Sequence, residues 1–280
     1  MKLGLALSGG GVKGAAHIGV IKALEENEIQ IHAIAGTSSG SIVATLYGMG
    51  YTSEEMLKLF NYFSKGILRG SPMYRSPDGK SDLSIKIGGI LSGQSISDAL
   101  EEAAKLKEME MISQINKIQI AIPTVDILNG EKYVFTNSPK QEEYYIKEAK
   151  ISTAVRASSS YPGVFAPCLF KEHKFVDGGV LDNVPADEVK KLDVDKVIAI
   201  KFALDKKLKP NGIYGVAMKS MDIIFDNRSR HEVECSDLVL DVDTKDANVF
   251  NIKKIDDCYR YGYETAILHM IEIKKMLKQE

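Results

Sequence analysis

The residues with the clearest chemical potential are Ser38 and the glycines around it, Gly36-Thr37-Ser38-Ser39-Gly40. Short apolar runs flank them, Ile31 to Ala35 before and Ile42 to Tyr47 after. A strand, a pinched turn and a helix would put the serine hydroxyl on a strained corner, the context a G-x-S-x-G pattern needs to act as a nucleophile elbow. An earlier loop, Ser8-Gly9-Gly10-Gly11-Val12-Lys13-Gly14, also falls between a predicted strand and a predicted helix. It fits G-x-G-x-x-G at Gly9, Gly11 and Gly14, which opens three readings. Its amides could cradle a dinucleotide, hold a developing oxyanion, or simply turn a strand tightly into a helix. The dinucleotide reading lacks the acidic residue expected at the end of the second strand, where Ala35-Gly36-Thr37-Ser38 stands instead. Both loops follow adjacent early strands, so both should open on one crevice outside the strand ends.

A serine nucleophile needs a base. His231 and His269 come late enough for a histidine-assisted α/β hydrolase, but they sit among charged residues or on an amphipathic face, as solvated histidines do. His17, His32 and His173 carry no stronger signal. That fold also builds several strands before its serine, and only one strand–helix unit precedes Ser38. Asp177, in Val176-Asp177-Gly178-Gly179, is a carboxylate at a strand end beside glycines that let another backbone approach. Its plain reading is an Asp-Gly turn. Its chemical reading is a general base for Ser38, with partial burial raising its pKa towards neutrality.

These residues need a scaffold. Leu3–Ser8 and Ile31–Ala35 read as buried strands, Gly14–Asn27 and the stretch from Ser39 to about Met49 as helices. This alternation predicts a parallel sheet with right-handed crossovers. The small residues Gly14, Ala15, Gly19 and Ala23 would let the first helix approach the sheet closely. A helix from Ser53 to near Phe63 and one from Ser95 to about Lys107 flank residues 64–94, a Gly-, Ser- and Pro-rich stretch that reads equally as a flap or a packed connection. Asn129-Gly130 marks a hairpin between Ile118–Leu128 and Lys132–Thr136. A helix at Ile151–Ser160, strands near Cys168–Phe170 and Lys174–Val176, a helix at Pro185–Leu192 and a strand at Lys196–Phe202 follow. A helix from Ile213 to Arg230, a strand at Leu238–Val242 and a helix from about Asp256 complete the pattern. With 280 residues, 44% hydrophobic and 26% charged, the composition is that of a globular domain. A formal net charge of −2 gives no reason to expect a nucleic-acid partner. No apolar stretch approaches membrane-spanning length, and no signal-peptide pattern opens the chain. Cys168, Cys235 and Cys258 are too far apart for a zinc motif or a disulfide framework, and are expected to be reduced thiols in a cytoplasmic protein.

Taken in order, Ser8–Gly14, Gly36–Gly40, Ala157-Ser158-Ser159-Ser160-Tyr161-Pro162-Gly163-Val164-Phe165-Ala166-Pro167 and Asp177–Gly179, extended by Asp182-Asn183-Val184-Pro185, resemble the patatin-like phospholipases. The resemblance covers roughly residues 3–205 of a single expected domain, 1–280, with 206–280 packing as a further strand and helices. It implies a three-layer α/β/α fold with a mainly parallel central sheet, and a serine lipid acyl hydrolase of phospholipase A type. By motif position it implies Ser38 as nucleophile, Asp177 as base, and the amides of Gly9, Gly10, Gly11 and Ser39 as an oxyanion hole. Lys13, Gly14, Gly36, Gly40, Gly178 and Gly179 support the motifs. It implies no cofactor and no metal, and a lipid acyl ester as substrate. Peripheral membrane contact would involve the apolar residues of 64–94 or Lys206-Lys207-Leu208-Lys209. A soluble carboxylesterase or thioesterase with the same dyad, and a non-enzymatic lipid-binding module, are the alternatives.

Overall fold

The computed structural model describes residues 1–69, 91–203, 212–247 and 250–278. The first four elements are β1 (Leu3–Leu7), α1 (Ala15–Glu26), β2 (Ile31–Gly36) and α2 (Ser39–Gly48). α3 (Ser53–Arg69) and α4 (Gln94–Leu106) precede a run of strands, β3 (Gln119–Asp126), β4 (Lys132–Thr136) and β5 (Tyr145–Ile146). Then come α5 (Ile151–Ser158), β6 (Cys168–Phe170), β7 (His173–Asp177), α6 (Ala186–Lys190) and β8 (Lys196–Phe202). α7 (Gly212–Glu232), β9 (Leu238–Val242), α8 (Ile255–Leu268) and α9 (Met270–Lys278) follow.

The strands form one mixed, mostly parallel sheet in the order β5-β4-β3-β2-β1-β8-β9, with β7 and β6 attached to the far end of β3. β1 is buried along its whole length, as a central parallel strand covered on both faces must be. Its alternation sets the layers. Leu3, Leu5 and Leu7 join the large core with Ile18, Val43 and Cys258, under α1, α2 and α8. Each such leucine contributes about 2 kcal/mol of burial. Ala6 joins the smaller core with Ala186 and Val189 of α6. A Cβ at Gly4 would lie 2.2 Å from Val189 Cγ1, so only glycine lets α6 come this close. The sheet therefore has a thick helical layer on one face and a thin one on the other.

β7 determines where the site forms. β2 pairs with β3 only through Ala33–Ala35 against Gln119–Ala121. β3 continues past the end of β2, and β7 takes the vacated edge in antiparallel register, Asp177 opposite Thr124 and Phe175 opposite Asp126. β2 and β7 thus run head to head along one edge of β3. Their C-terminal ends, which carry Ser38 and Asp177, face each other across a gap of two β3 residues, Ile122 and Pro123.

Several expectations need correction. The small residues of α1 do not all serve the sheet: a Cβ at Gly19 would fall 2.0 Å from Tyr259 O, and one at Gly262 would fall 1.9 Å from Ala16 O. α1 and α8 therefore touch backbone to backbone. The helix from Ser53 runs past Phe63 to Arg69, with no proline to stop it before Pro72. The terminal helix breaks at His269, which leaves helical geometry (φ −95°, ψ 4°) and donates from Nδ1 to Thr265 O at 2.9 Å. Most of the stretch 64–94 (residues 70–90) and Lys206–Lys209 lie outside the described residues. Among the described residues, no helix is long and apolar enough to cross a membrane.

Candidate active site

Ser38 sits between β2 and α2 with φ 52° and ψ −121°. This left-handed backbone is rare for any residue but glycine and costs about 1–3 kcal/mol. The turn is tight because two glycines have no side chain to obstruct it. A Cβ at Gly36 would lie 2.2 Å from Gly40 O, and one at Gly40 would lie 2.4 Å from Leu7 O. The packing around the turn thus holds the strain. The Ser38 amide donates to Ser158 Oγ at 3.1 Å, and the Ser38 carbonyl accepts from the Ser41 amide at 2.9 Å.

Asp177 ends β7 and is fully buried. Its amide donates to Ser160 O at 3.0 Å, and its Oδ1 accepts the Gly179 amide at 2.9 Å. Its Oδ2 is buried with no hydrogen-bond partner among the described residues. Burial pushes the carboxyl up to about 7, and the nearby Ser38 hydroxyl and the Gly179 amide keep it from rising further. The Ser38 hydroxyl thus lies within reach of the carboxylate, as a group to be deprotonated must lie beside its base. Gly178 has to be glycine here, since a Cβ would meet Pro123 O at 2.3 Å. The serine-rich block thus has a physical role: Ser158 braces Ser38 and Ser160 braces Asp177.

The first glycine loop faces the same cavity. Gly9, Gly10, Gly11, Lys13, Ser38, Ser39 and Asp177 all line a space of about 190 Å³, closed mainly by apolar residues such as Phe60, Ile96, Phe165 and Phe225. The loop residues are not equivalent. The Gly9 amide, expected among the oxyanion donors, donates to Asn183 O at 3.2 Å. The amides of Gly10, Gly11 and Ser39 have no backbone acceptor among the described residues. Gly11 takes φ 57°, which turns the chain into the following helix. Gly14 keeps α1 close to α2, since a Cβ would fall 2.8 Å from Ser39 Cβ. A Cβ at Gly179 would come within 2.9 Å of Phe225 Cε2. Lys13 is buried and its Nζ donates to Ala203 O at 3.3 Å, tying the loop to the end of β8.

α7, which carries no motif, supplies a wall of the cavity through Asp222, Phe225, Asp226 and Ser229. Polar bonds dock it on the aspartate loop. Asn183 Nδ2 donates to Ser229 Oγ at 2.9 Å, the Val184 amide to Glu232 Oε2 at 2.8 Å, and Arg228 to Leu181 O. Tyr161 Oη donates to Asp222 Oδ1 at 3.0 Å. These contacts join segments far apart in sequence, so no local pattern announces them. Neither late histidine is in the cavity: His231 pairs with Glu234 at the surface, and His269 bonds within its own helix. A cluster of Asp182, Asp187 and Glu188 could hold a cation by its geometry. Lys132 Nζ already occupies it, at 2.8, 3.0 and 2.7 Å from the three carboxylates.

Fold and site together define an α/β protein with a serine elbow and a buried carboxylate at one sheet edge. Residues 5–190 match the patatin-like phospholipase family, and the chain belongs to that family. It is 31% identical over 201 residues to an uncharacterized NTE family protein of Mycobacterium tuberculosis, covering 72% of this chain and 49% of that protein. It is 30% identical over 201 residues to lysophospholipase NTE1 of Candida albicans, covering 71% of this chain and 13% of that protein. The chain thus spans about half the length of the mycobacterial relative and a small part of the fungal one. Among solved structures, VipD from Legionella pneumophila shares the fold with a TM-score of 0.55 at 14% identity, covering 95% of this chain and 66% of that one.

Proposed function

We propose that the chain is a serine lipid acyl hydrolase working through a Ser38–Asp177 dyad, without a histidine, cofactor or metal. The observation that carries this reading is the strained Ser38 beside a buried carboxylate whose Oδ2 has no partner, in a cavity walled by apolar side chains. Asp177 Oδ2 takes the proton of Ser38 as Oγ attacks the ester carbonyl. The carbonyl oxygen becomes an oxyanion, and the amides of Gly10, Gly11 and Ser39 stabilise it. Losing one such donor typically costs about 100- to 1,000-fold in rate. Collapse expels the alcohol, which takes its proton back from Asp177. Water, deprotonated by the same carboxylate, then releases the fatty acid and restores Ser38.

The apolar walls favour an acyl chain over a small polar acid, and the ester of a membrane or micellar lipid over a soluble one. The protein then works from the cytoplasm on lipid it meets peripherally. A hydrolysis panel tests this: diacyl phospholipids, lysophospholipids, acylglycerols, short-chain esters and acyl thioesters, each with the wild type and with Ser38→Ala. The expected result is release of long-chain fatty acid by the wild type and none above background by the folded variant. Preference for short-chain esters or thioesters would replace the lipid assignment, and equal activity of Ser38→Ala would overturn the nucleophile.

A further inference from the structure

His17 lies in the first turn of α1, wholly buried, and the mechanism above does not use it. Its ring Nε2 is 2.8 Å from Ser8 O. A carbonyl only accepts, so Nε2 carries the hydrogen, and Nδ1 is left unprotonated, buried and without a hydrogen-bond partner. Burial pushes the imidazole down to about 4, against the pull of the Ser8 carbonyl, so it is neutral at ordinary pH. A buried, half-satisfied histidine costs stability, and Ser8 O is the polar group it engages.

That carbonyl belongs to the peptide plane joining Ser8 to Gly9. The other edge of the same plane, the Gly9 amide, donates to Asn183 O at 3.2 Å. The Ser8 amide in turn donates to Ile200 O at 3.1 Å. His17 and Asn183 therefore grip the two edges of the planar unit immediately before the Gly10 and Gly11 amides. The His17 ring also packs on Phe202, with centroids 4.7 Å apart. Phe202 in turn presses on the loop, since a Cβ at Gly10 would fall 2.6 Å from Phe202 Cδ2. One imidazole thus sets the glycine loop by a hydrogen bond and, through Phe202, by packing.

We infer that His17 is a positioning residue: by holding the Ser8–Gly9 peptide plane it aims the Gly10 and Gly11 amides at the developing oxyanion. The inference rests on the serine-hydrolase reading above. An aim error of this kind weakens transition-state binding more than ground-state binding, so it falls on kcat rather than KM.

The test compares His17→Gln, whose side-chain amide can reach Ser8 O, with His17→Leu and the shorter His17→Asn. Each is assayed for kcat and KM on a chromogenic acyl ester, at a temperature where circular dichroism shows it folded. His17→Leu and His17→Asn should lose about 10- to 100-fold in kcat, with KM changed less than about 2-fold. His17→Gln should recover at least about 10-fold of that loss. Unchanged kcat in folded His17→Leu, or His17→Gln no better than His17→Asn, would overturn the role. If His17→Leu does not fold, the Gln and Asn variants decide the matter between them. Ser38→Ala, run alongside, separates the two levels: its activity must vanish if the hydrolase reading stands, whatever the His17 series shows.

Discussion

Asp177 and Asp182 lie five residues apart on one loop, both buried, and they have opposite surroundings. Asp182 faces a cation, with Lys132 Nζ at 2.8 Å and Asp187 and Glu188 around the same ammonium. Burial drives the Asp182 carboxyl up, and the charge of Asp187 adds to this against the pull of Lys132. Burial alone would lower the lysine, yet the three carboxylates together hold it above its usual range. This is a closed ionic cluster that ties β4 to α6. Among the described residues, Asp177 has no ion-pair partner, a backbone donor on one oxygen and a second oxygen without a hydrogen-bond partner. One carboxylate spends its charge on holding the fold. The other keeps a free acceptor beside a hydroxyl, which costs stability and suits proton transfer.

The difference can be broken from either side. The largest effect belongs to Asp177→Asn, which removes the proton acceptor and keeps the shape. Its kcat should fall by about 1,000-fold, while Asp182→Asn should stay within about 10-fold of the wild type. Equal losses in the two variants would erase the distinction. The pair should also differ in stability. A carboxyl whose folded pKa is about 7, against an unfolded value of 3.8, favours the fold most at low pH. That contribution is lost as pH rises from about 4 through 7. Asp177→Asn should therefore raise the melting temperature at pH 8 by several degrees and change it little at pH 4.

Lys132→Met attacks the other side. It leaves three carboxylates without their ammonium, which should cost about 2–4 kcal/mol in denaturant unfolding, discounted for the partial exposure of Lys132 and Asp187. The carboxyls would then have raised folded pKa values, so the loss should deepen as pH rises from 5 to 9. A loss independent of pH would mean that the cluster is not ionic. The subtlest effect is on the pH profile. Asp177 must be ionised to accept a proton, so kcat/KM should rise through an apparent pKa of about 7 and level off above it. His231→Ala and His269→Ala should leave that profile where it is.

Much of this was legible in the sequence because it is local. β8 and β9 are built on the apolar runs Val197–Ile200 and Leu238–Leu240 and fall at Lys196–Phe202 and Leu238–Val242, as the pattern predicts. Ser38 and Asp177 announce themselves through glycines whose necessity the packing explains. The rest depends on long-range geometry. Nothing near Asp177 says that β7 runs antiparallel in line with β2, since that depends on β3 outlasting its partner. The bond that engages the Gly9 amide comes from Asn183, far away in the chain. α7 looks like an unremarkable helix because its role rests on Ser229 and Glu232 meeting the aspartate loop. His17 carries no signal in the sequence, and its bond to Ser8 O is what distinguishes it.

The central claim is that Ser38 attacks with Asp177 as its base, and covalent trapping tests it most directly. Wild type, Ser38→Ala and Asp177→Asn would each be mixed with a long-chain alkyl fluorophosphonate, and the adduct located by peptide mass mapping over a time course. The account predicts one adduct, on Ser38, absent from Ser38→Ala and formed about 1,000-fold more slowly in Asp177→Asn. An unmodified Ser38 in the wild type, or labelling of Asp177→Asn at the wild-type rate, would contradict it.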